Sequence, residues 1–303
     1  SLDALQESLR ALLAADLRNV EQGYYPAERL FDLPFTDLLR NLPDAALEPL
    51  RVRRRIATGA WDELPGDMDL DAYPPYYRRT FHWQTDGWLS ERSAFLYDSQ
   101  VEAVFAGAGD AMRRQAIPPL VDALRARSAV RPRVLDVACG TGRFLAHVHA
   151  AVPEPRPQGP APSPPAPARA RARCPGTSAV SAVHDNAEDM PFRDARFDAA
   201  TSVFLFHELP LRARERVVAE TFRVLAPGGT FVVCDATQLA DRPEFEPFLR
   251  GFPALYHEPF FAKYLEEGLE DLLAGAGFEV ARTEAAFLSK VVVARKPEAA
   301  ERH

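Results

Sequence analysis

The sequence is poor in cysteine. Cys139, Cys174 and Cys234 are the only three in 303 residues. They are scattered too widely for a disulfide framework or a zinc site, so a reducing compartment and no bound metal are expected. No run of about 18 apolar residues occurs, so no membrane-spanning helix is expected. A basic excess is missing too. Thirty-six Lys and Arg stand against 43 Asp and Glu, a formal net charge of −7. Chains that read nucleic acid normally carry a basic face that displaces counterions from phosphates, so no nucleic-acid partner is expected. The short basic run Arg51–Arg55 reads as a solvated face. No signal peptide is read ahead of the first amphipathic stretch. The expected location is the cytoplasm, or an organelle stroma if a targeting segment was trimmed ahead of Ser1.

What is present is an ordinary globular mixture, 47% apolar and 26% charged. The length suits one α/β domain with an elaborated cap, or two modest domains. Residues 1–125 read as mostly helical, with Leu2, Leu5, Leu9, Leu12 and Leu13 expected on one helical face. Tyr73–Trp88 is dense in aromatics. Residues 93–124 read as one or two helices, broken near Gly107–Gly109 and again at Pro118-Pro119. From Arg131 the pattern changes. Val134–Val137 reads as a short buried strand, followed by a glycine turn and a helix over Arg143–Ala151. A strand over Phe197–Phe206, a helix over Arg212–Leu225 and a strand over Thr230–Asp235 follow. A helix over Leu265–Ala276 and a strand over Leu288–Ala294 complete the series. Strands alternating with crossover-length helices predict an α/β fold with a doubly wound, mainly parallel sheet.

One segment breaks the alternation. From Pro153 to Pro175 the chain is nearly all Pro, Ala and Arg and holds about a third of the prolines. Each proline removes a ladder donor and fixes φ, so the run is expected to form neither a central strand nor a crossover helix, and reads as disordered.

The strongest chemical signal is Val134–Gly142, VLDVACGTG. A strand running directly into a glycine turn and a helix builds a nucleotide-type site at the carboxyl edge of a sheet. Gly140 and Gly142 let backbone approach a ligand, and the helix start offers N–H groups to an anionic group. Asp136 can attract a cationic ammonium. A zwitterionic amino acid joined to a nucleoside suits both. A dehydrogenase fingerprint needs a third glycine where Leu145 stands.

Here the sequence resembles the class I S-adenosylmethionine-dependent methyltransferase superfamily, in particular the small-molecule branch that includes the ubiquinone and menaquinone methyltransferases. The resemblance runs from Arg131 to about Lys296, apart from the Pro-rich gap. VLDVACGTGRFL looks like the first motif and HDNAEDMPF (184–192) like the loop after the third strand. FDAATSVFLFHELP (197–210) is similar to the fourth strand and the loop facing the transferred methyl. RVLAPGG (223–229) followed by TFVVCD resembles the entry to the fifth strand.

The resemblance implies a Rossmann-like domain over 126–303 beneath an α-helical N-terminal cap over 1–125, with S-adenosylmethionine as methyl donor. Asp136, Ala138, Gly140, Gly142, Asn186, Ala187 and Phe204 would hold that donor. His207 would be the general base or the group that orients the acceptor. Tyr77, Trp83, Trp88, Tyr97 and His257 would contact the acceptor, with Tyr76, Phe81, His82 and Tyr256 nearby, and Tyr97 and Gln100 would close over the donor. The expected reaction moves a methyl group to O, N, S or C of a small molecule. The chain departs from the pattern in one place. The acid expected at the end of the second strand falls in Arg156–Pro160, RPQGP, which has none. A shifted reading frame in a GC-rich gene would produce such a stretch. A genuine segment would instead weaken donor binding, and the alternative function is then a non-catalytic binding module.

Overall fold

The computed structural model describes residues 2–32, 50, 54, 57–58, 64, 73–80, 91–127, 132–152, 156–160, 181–183 and 186–298. Helix α1 (Leu2–Glu21) packs Leu5, Leu9 and Leu12 inward. Leu2 and Leu13 are exposed, against the single face expected from sequence, because successive residues on a helix point about 100° apart. Buried Asp16 of α1 pairs with Arg114 at 2.5 Å and accepts the Tyr25 hydroxyl at 2.6 Å.

Helices α2 (Glu91–Val104), α3 (Gly109–Arg114) and α4 (Ile117–Ala126) follow. The chain turns between α2 and α3 with Ala106 and Gly107 in the left-handed region, at φ 52° and 84°. The helix break expected at Pro118 and Pro119 falls just ahead of these prolines, between Arg114 and Ile117. The prolines sit in the first turn of α4, where a missing N–H costs nothing.

The sheet is built from β1 (Arg133–Val137), β2 (Arg156–Pro160), β3 (Ser181–Val183), β4 (Phe197–Val203), β5 (Leu225–Ala236), β6 (Glu279–Ala286) and β7 (Ser289–Arg295). Their spatial order is β3-β2-β1-β4-β5-β7-β6. The first five pair in parallel, and β7 joins β5 and β6 antiparallel. Helix α5 (Arg143–Ala151) follows β1 and α6 (Leu211–Val224) follows β4.

Apolar residues of the central strands alternate between two cores. Val134, Ala199, Val232 and Cys234 face α1, α4 and α5, whereas Leu135, Val137, Phe231 and Val233 face α6 and the C-terminal helices. A parallel sheet covered on both faces reads as a continuous apolar run, and TFVVC in β5 is such a run. The chain moves outward through β2 and β3 and then returns to place β4 beside β1. That reversal opens a crevice at the carboxyl ends of β1 and β4, where ligands of such sheets bind.

The Pro-rich run corrects one expectation. Arg156–Pro160 is a strand, paired with β1 on one side and β3 on the other. Pro157 and Pro160 lack donors, but proline φ is compatible with extended backbone and their carbonyls can still accept. The rest of 153–175 lies outside the described residues, as do 176–180.

Other boundaries shift as well. Helix α6 stops at Val224, and β5 already begins at Leu225. The Pro227-Gly228-Gly229 stretch forms an irregularity between the pairs Phe197↔Leu225 and Ala199↔Thr230. The helix expected over 265–276 starts later, as α9 (Leu269–Gly275), and a short helix α8 (Phe261–Tyr264) precedes it. Helix α7 (Glu246–Tyr256) and the largely exposed edge strand β6 had no clear signal in the sequence. Among the described residues no helix is long and apolar enough to cross a membrane.

Candidate active site

Three left-handed residues shape the turn after β1: Ala138, Gly140 and Gly142, at φ 58°, 50° and 75°. Beside Gly140 there is open space, since an added Cβ would meet only the Ala138 carbonyl oxygen at 3.9 Å. A ligand can therefore approach this backbone, and α5 begins directly after it. Ala138 adopts a backbone conformation that suits glycine. Ala138→Gly is expected to stabilise the protein by about 0.5–1 kcal/mol, the relieved strain exceeding the extra chain entropy. Thermal unfolding would show this as a rise of about 2 °C, and a fall would contradict it.

Asp136 stands one residue before the end of β1 and is 2% exposed. Its register partner on β4, Thr201, donates to its Oδ1 at 2.8 Å. Burial pushes the Asp136 pKa up to about 7 despite this hydrogen bond. A buried carboxylate of this kind gains from a cationic ligand group beside it. Helix α2 covers the turn, with Asp98 Oδ1 accepting from Thr141 at 2.9 Å. Asp110 of α3 also holds Arg143, the first residue of α5. The open glycine turn and the buried carboxylate together fit the amino-acid part of S-adenosylmethionine.

The loop after β3 brings Asn186 and Ala187 to the same edge of the sheet. Asn186 Oδ1 accepts from the Glu188 backbone N–H at 3.0 Å, folding the loop. Glu188 in turn accepts the Tyr76 hydroxyl at 2.6 Å. Tyr76 thus contacts the loop after β3, whereas the sequence reading set it near the acceptor. Arg223 of α6 ties the loop down through the carbonyls of Met190 and Phe192. On β2, Arg156–Pro160 offers no carboxylate for ribose hydroxyls.

After β4 the chain passes Phe204, at φ 57°, into a single helical turn over Phe206–Glu208. His207 Nδ1 lies 2.5 Å from Asp235 Oδ1. Asp235, fully buried near the end of β5, also accepts from the backbone N–H groups of Leu205, Phe206 and Ala236. These bonds fix the carboxylate and hence the imidazole plane. His207 Nε2 is 3.8 Å from both Glu208 Oε1 and Glu258 Oε2. Burial alone would lower the His207 pKa. The Asp235 charge and hydrogen bond, with Glu258 and Glu208 beyond, outweigh burial and raise it to about 9. His207 is therefore an imidazolium at neutral pH. Its Nε2 then carries a proton and can donate it to a ligand, rather than serving as a ready base.

Above His207 opens a cleft containing about 780 Å³ of unfilled space, part of it open to solvent. Tyr97, Gln100, Val101 and Val104 of α2 form one wall, and Phe248, Leu249, Phe252 and Tyr256 of α7 another. Phe204 lies in the same cleft, stacked on Phe105 at 6.2 Å. Of the residues the sequence singled out, the cleft brings together Tyr97, Phe204 and His207, with Gln100 and Tyr256.

His257 does not line the cleft. In the left-handed conformation at φ 52°, it turns the chain between Tyr256 and Glu258, which do line it. Tyr77 is also absent from the wall; burial raises its pKa, and the charge of Glu208 adds to this. Phe81, His82, Trp83 and Trp88 lie outside the described residues.

Asp235, Thr201 and Glu258 were not anticipated. Asp235 carried a usable signal, an acid closing an apolar strand at the ligand edge. Thr201 and Glu258 carried none, because only the sheet register and the fold of α7 bring them in.

Residues 134–229 match a family model described as a methyltransferase domain. An uncharacterized methyltransferase of Synechocystis sp. is 32% identical over 153 residues, 50% of this chain and 68% of that protein. An O-methyltransferase of Aspergillus nomiae is 31% identical over 50% of this chain and 67% of its own. The demethylmenaquinone methyltransferase of Anoxybacillus flavithermus is 30% identical over 46% of this chain, which spans 58% of that enzyme. Among solved structures, the CurJ carbon methyltransferase is similar in fold, with a TM-score of 0.51 at 15% identity. That match covers 69% of this chain and 62% of the other. The glycine turn at the switch crevice and these relatives agree, and the chain belongs to the class I S-adenosylmethionine-dependent methyltransferase superfamily.

Proposed function

We propose that this methyltransferase transfers a methyl group to a small aromatic or lipophilic acceptor bound in the cleft between α2 and α7. The supporting observation is the position of the His207–Asp235 pair at the floor of that cleft, on the same sheet edge as Asp136 and the glycine turn. S-adenosylmethionine supplies a methyl carbon made electrophilic by its sulfonium.

The chain's own residues do the rest. Asp136 attracts the donor's ammonium, Gly140 and Gly142 admit its carboxylate to the start of α5, and Asn186 and Ala187 flank its adenine. Helix α2, in the N-terminal cap region, closes the site with Tyr97 and Gln100. The apolar walls exclude water and hold the acceptor in line, and proximity of this kind is worth an effective concentration on the order of 10⁵ M. His207 orients the acceptor from Nε2.

Isothermal titration with S-adenosylmethionine and its demethylated product is the direct test. Binding of both at micromolar concentrations supports the donor site despite the acid-free end of β2. A folded protein that binds neither refutes the donor assignment and favours a non-catalytic binding role.

A further inference from the structure

We propose, resting on the reading above, that Tyr76 is a positioning residue for the adenine end of the donor, acting through Glu188 on the loop that carries Asn186 and Ala187. The loop is anchored differently at its two ends. Its far end is held from α6. There Glu220 accepts the Met190 N–H at 2.8 Å, and Arg223 donates to the carbonyls of Met190 and Phe192. Its near end is held through the Glu188 side chain, which accepts from the Tyr76 hydroxyl at 2.6 Å and from Arg216 at 3.2 Å. These two contacts are unequal. The Glu188 side chain is 8% exposed and that of Arg216 67%, so solvent screens the ion pair and the short bond from Tyr76 dominates. Tyr76 is itself braced by Phe260, whose ring meets it nearly perpendicular at 6.3 Å. Burial and the Glu188 carboxylate raise the Tyr76 pKa, which keeps the hydroxyl a donor at neutral pH.

Glu188 directly follows Ala187, and its backbone N–H donates to Asn186 Oδ1 at 3.0 Å. Holding Glu188 therefore sets both groups assigned to the adenine. Adenine offers an acceptor at N1 and a donor at its exocyclic amino group, whereas hypoxanthine reverses both. A fixed N–H at Ala187 and a fixed amide oxygen at Asn186 distinguish the two bases, because the reversed pattern sets donor against donor. A loop free to shift accommodates either. The tie carries extra weight in this chain. Arg156–Pro160 on β2 offers no carboxylate to the ribose, so the base contacts supply a larger share of the nucleoside's affinity.

The test uses the full chain, titrated with S-adenosylhomocysteine and with S-inosylhomocysteine, which differ only in the base. The wild type is expected to favour the adenine ligand by about 20-fold. Tyr76→Phe keeps the ring against Phe260 and removes the hydroxyl. It is expected to weaken S-adenosylhomocysteine about ten-fold and S-inosylhomocysteine by less than about two-fold, so that most of the preference is lost. Glu188→Gln, which keeps an acceptor for the hydroxyl, is expected to lose less than about three-fold. Glu188→Ala is expected to match Tyr76→Phe, and the double variant to bind no more weakly than either single one. A merely structural role removes folded protein, lowers both ligands alike and leaves the preference unchanged, and that outcome overturns the proposal. So does a double variant whose loss is the product of the two single losses, or a wild type that binds both ligands equally. A wild type that binds neither ligand refutes the donor reading itself, and the two failures are thereby distinguished.

Discussion

Asp136→Asn is expected to weaken S-adenosylhomocysteine binding about 10- to 100-fold at pH 8 while making the unliganded protein more stable. The loss follows from removing a charge-assisted contact to the ligand ammonium, worth about 1.5–3 kcal/mol. The gain follows from the environment of the carboxylate, which is buried with Thr201 donating to one oxygen. Its folded pKa of about 7 lies above the usual unfolded value of about 3.9. The protonated form is thus favoured on folding. Stability from this source is fully present below about pH 4 and is lost as pH rises through 7, on the order of 4 kcal/mol in all.

Asparagine keeps an acceptor for Thr201 and removes the buried charge. Ligand binding has the opposite linkage. Because the bound ammonium favours carboxylate, binding below pH 7 takes up an ionised Asp136 and releases a proton. Affinity in the wild type rises with pH and flattens above 7. Titration at pH 6 in two buffers of different ionisation heat measures the released proton. Release that is equal in the wild type and Asp136→Asn would refute this account.

His207→Gln is expected to lower kcat by about 10²–10³, with a smaller effect on donor affinity. Asp235→Asn is expected to lower kcat as well and to move the alkaline limb of the pH–rate profile. In the wild type, activity that needs the Nε2–H of the imidazolium declines as pH rises through about 9. Without the Asp235 charge, the dominant opposing influence on His207 is burial, which lowers its pKa, so the decline comes at lower pH. A purely structural role for Asp235 would reduce the rate and leave the limb in place.

Stability carries the same signature. The folded pKa of His207 is raised above the unfolded value near 6.5. Its stabilising contribution is fully present below about 6.5 and is lost as pH rises through 9, on the order of 3 kcal/mol. Denaturation midpoints between pH 6 and 10 would show this decline in the wild type and much less of it in His207→Gln.

Much of the fold was legible because a parallel sheet writes itself into sequence locally. VLDV and TFVVC are buried on both faces, and glycines stand where the turn after β1 requires positive φ. Composition was a poorer guide where partners decide. RPQGP has little strand propensity of its own, yet it pairs with β1 and β3, because a gap between two strands offers ladder partners to any extended backbone. Strand β6 was invisible for a related reason. Most of its side chains face solvent, so no buried pattern marks it, and β7 supplies its hydrogen bonds.

By itself the sequence determined the alternation of strands and helices, the glycine turn with Asp136 ahead of it, and the presence of His207 beyond β4. Those features are local, set by periodicity and by residues a few positions apart. Only the tertiary structure decided what surrounds them. Asp136 meets Thr201 across 65 residues, His207 meets Asp235 across 28, and Glu258 reaches His207 from beyond α7. The ionisation of each group depends on burial and on charges brought in from distant segments. Sequence spacing carries neither quantity, so the protonation states and the charge of the cleft appear only when the chain is folded.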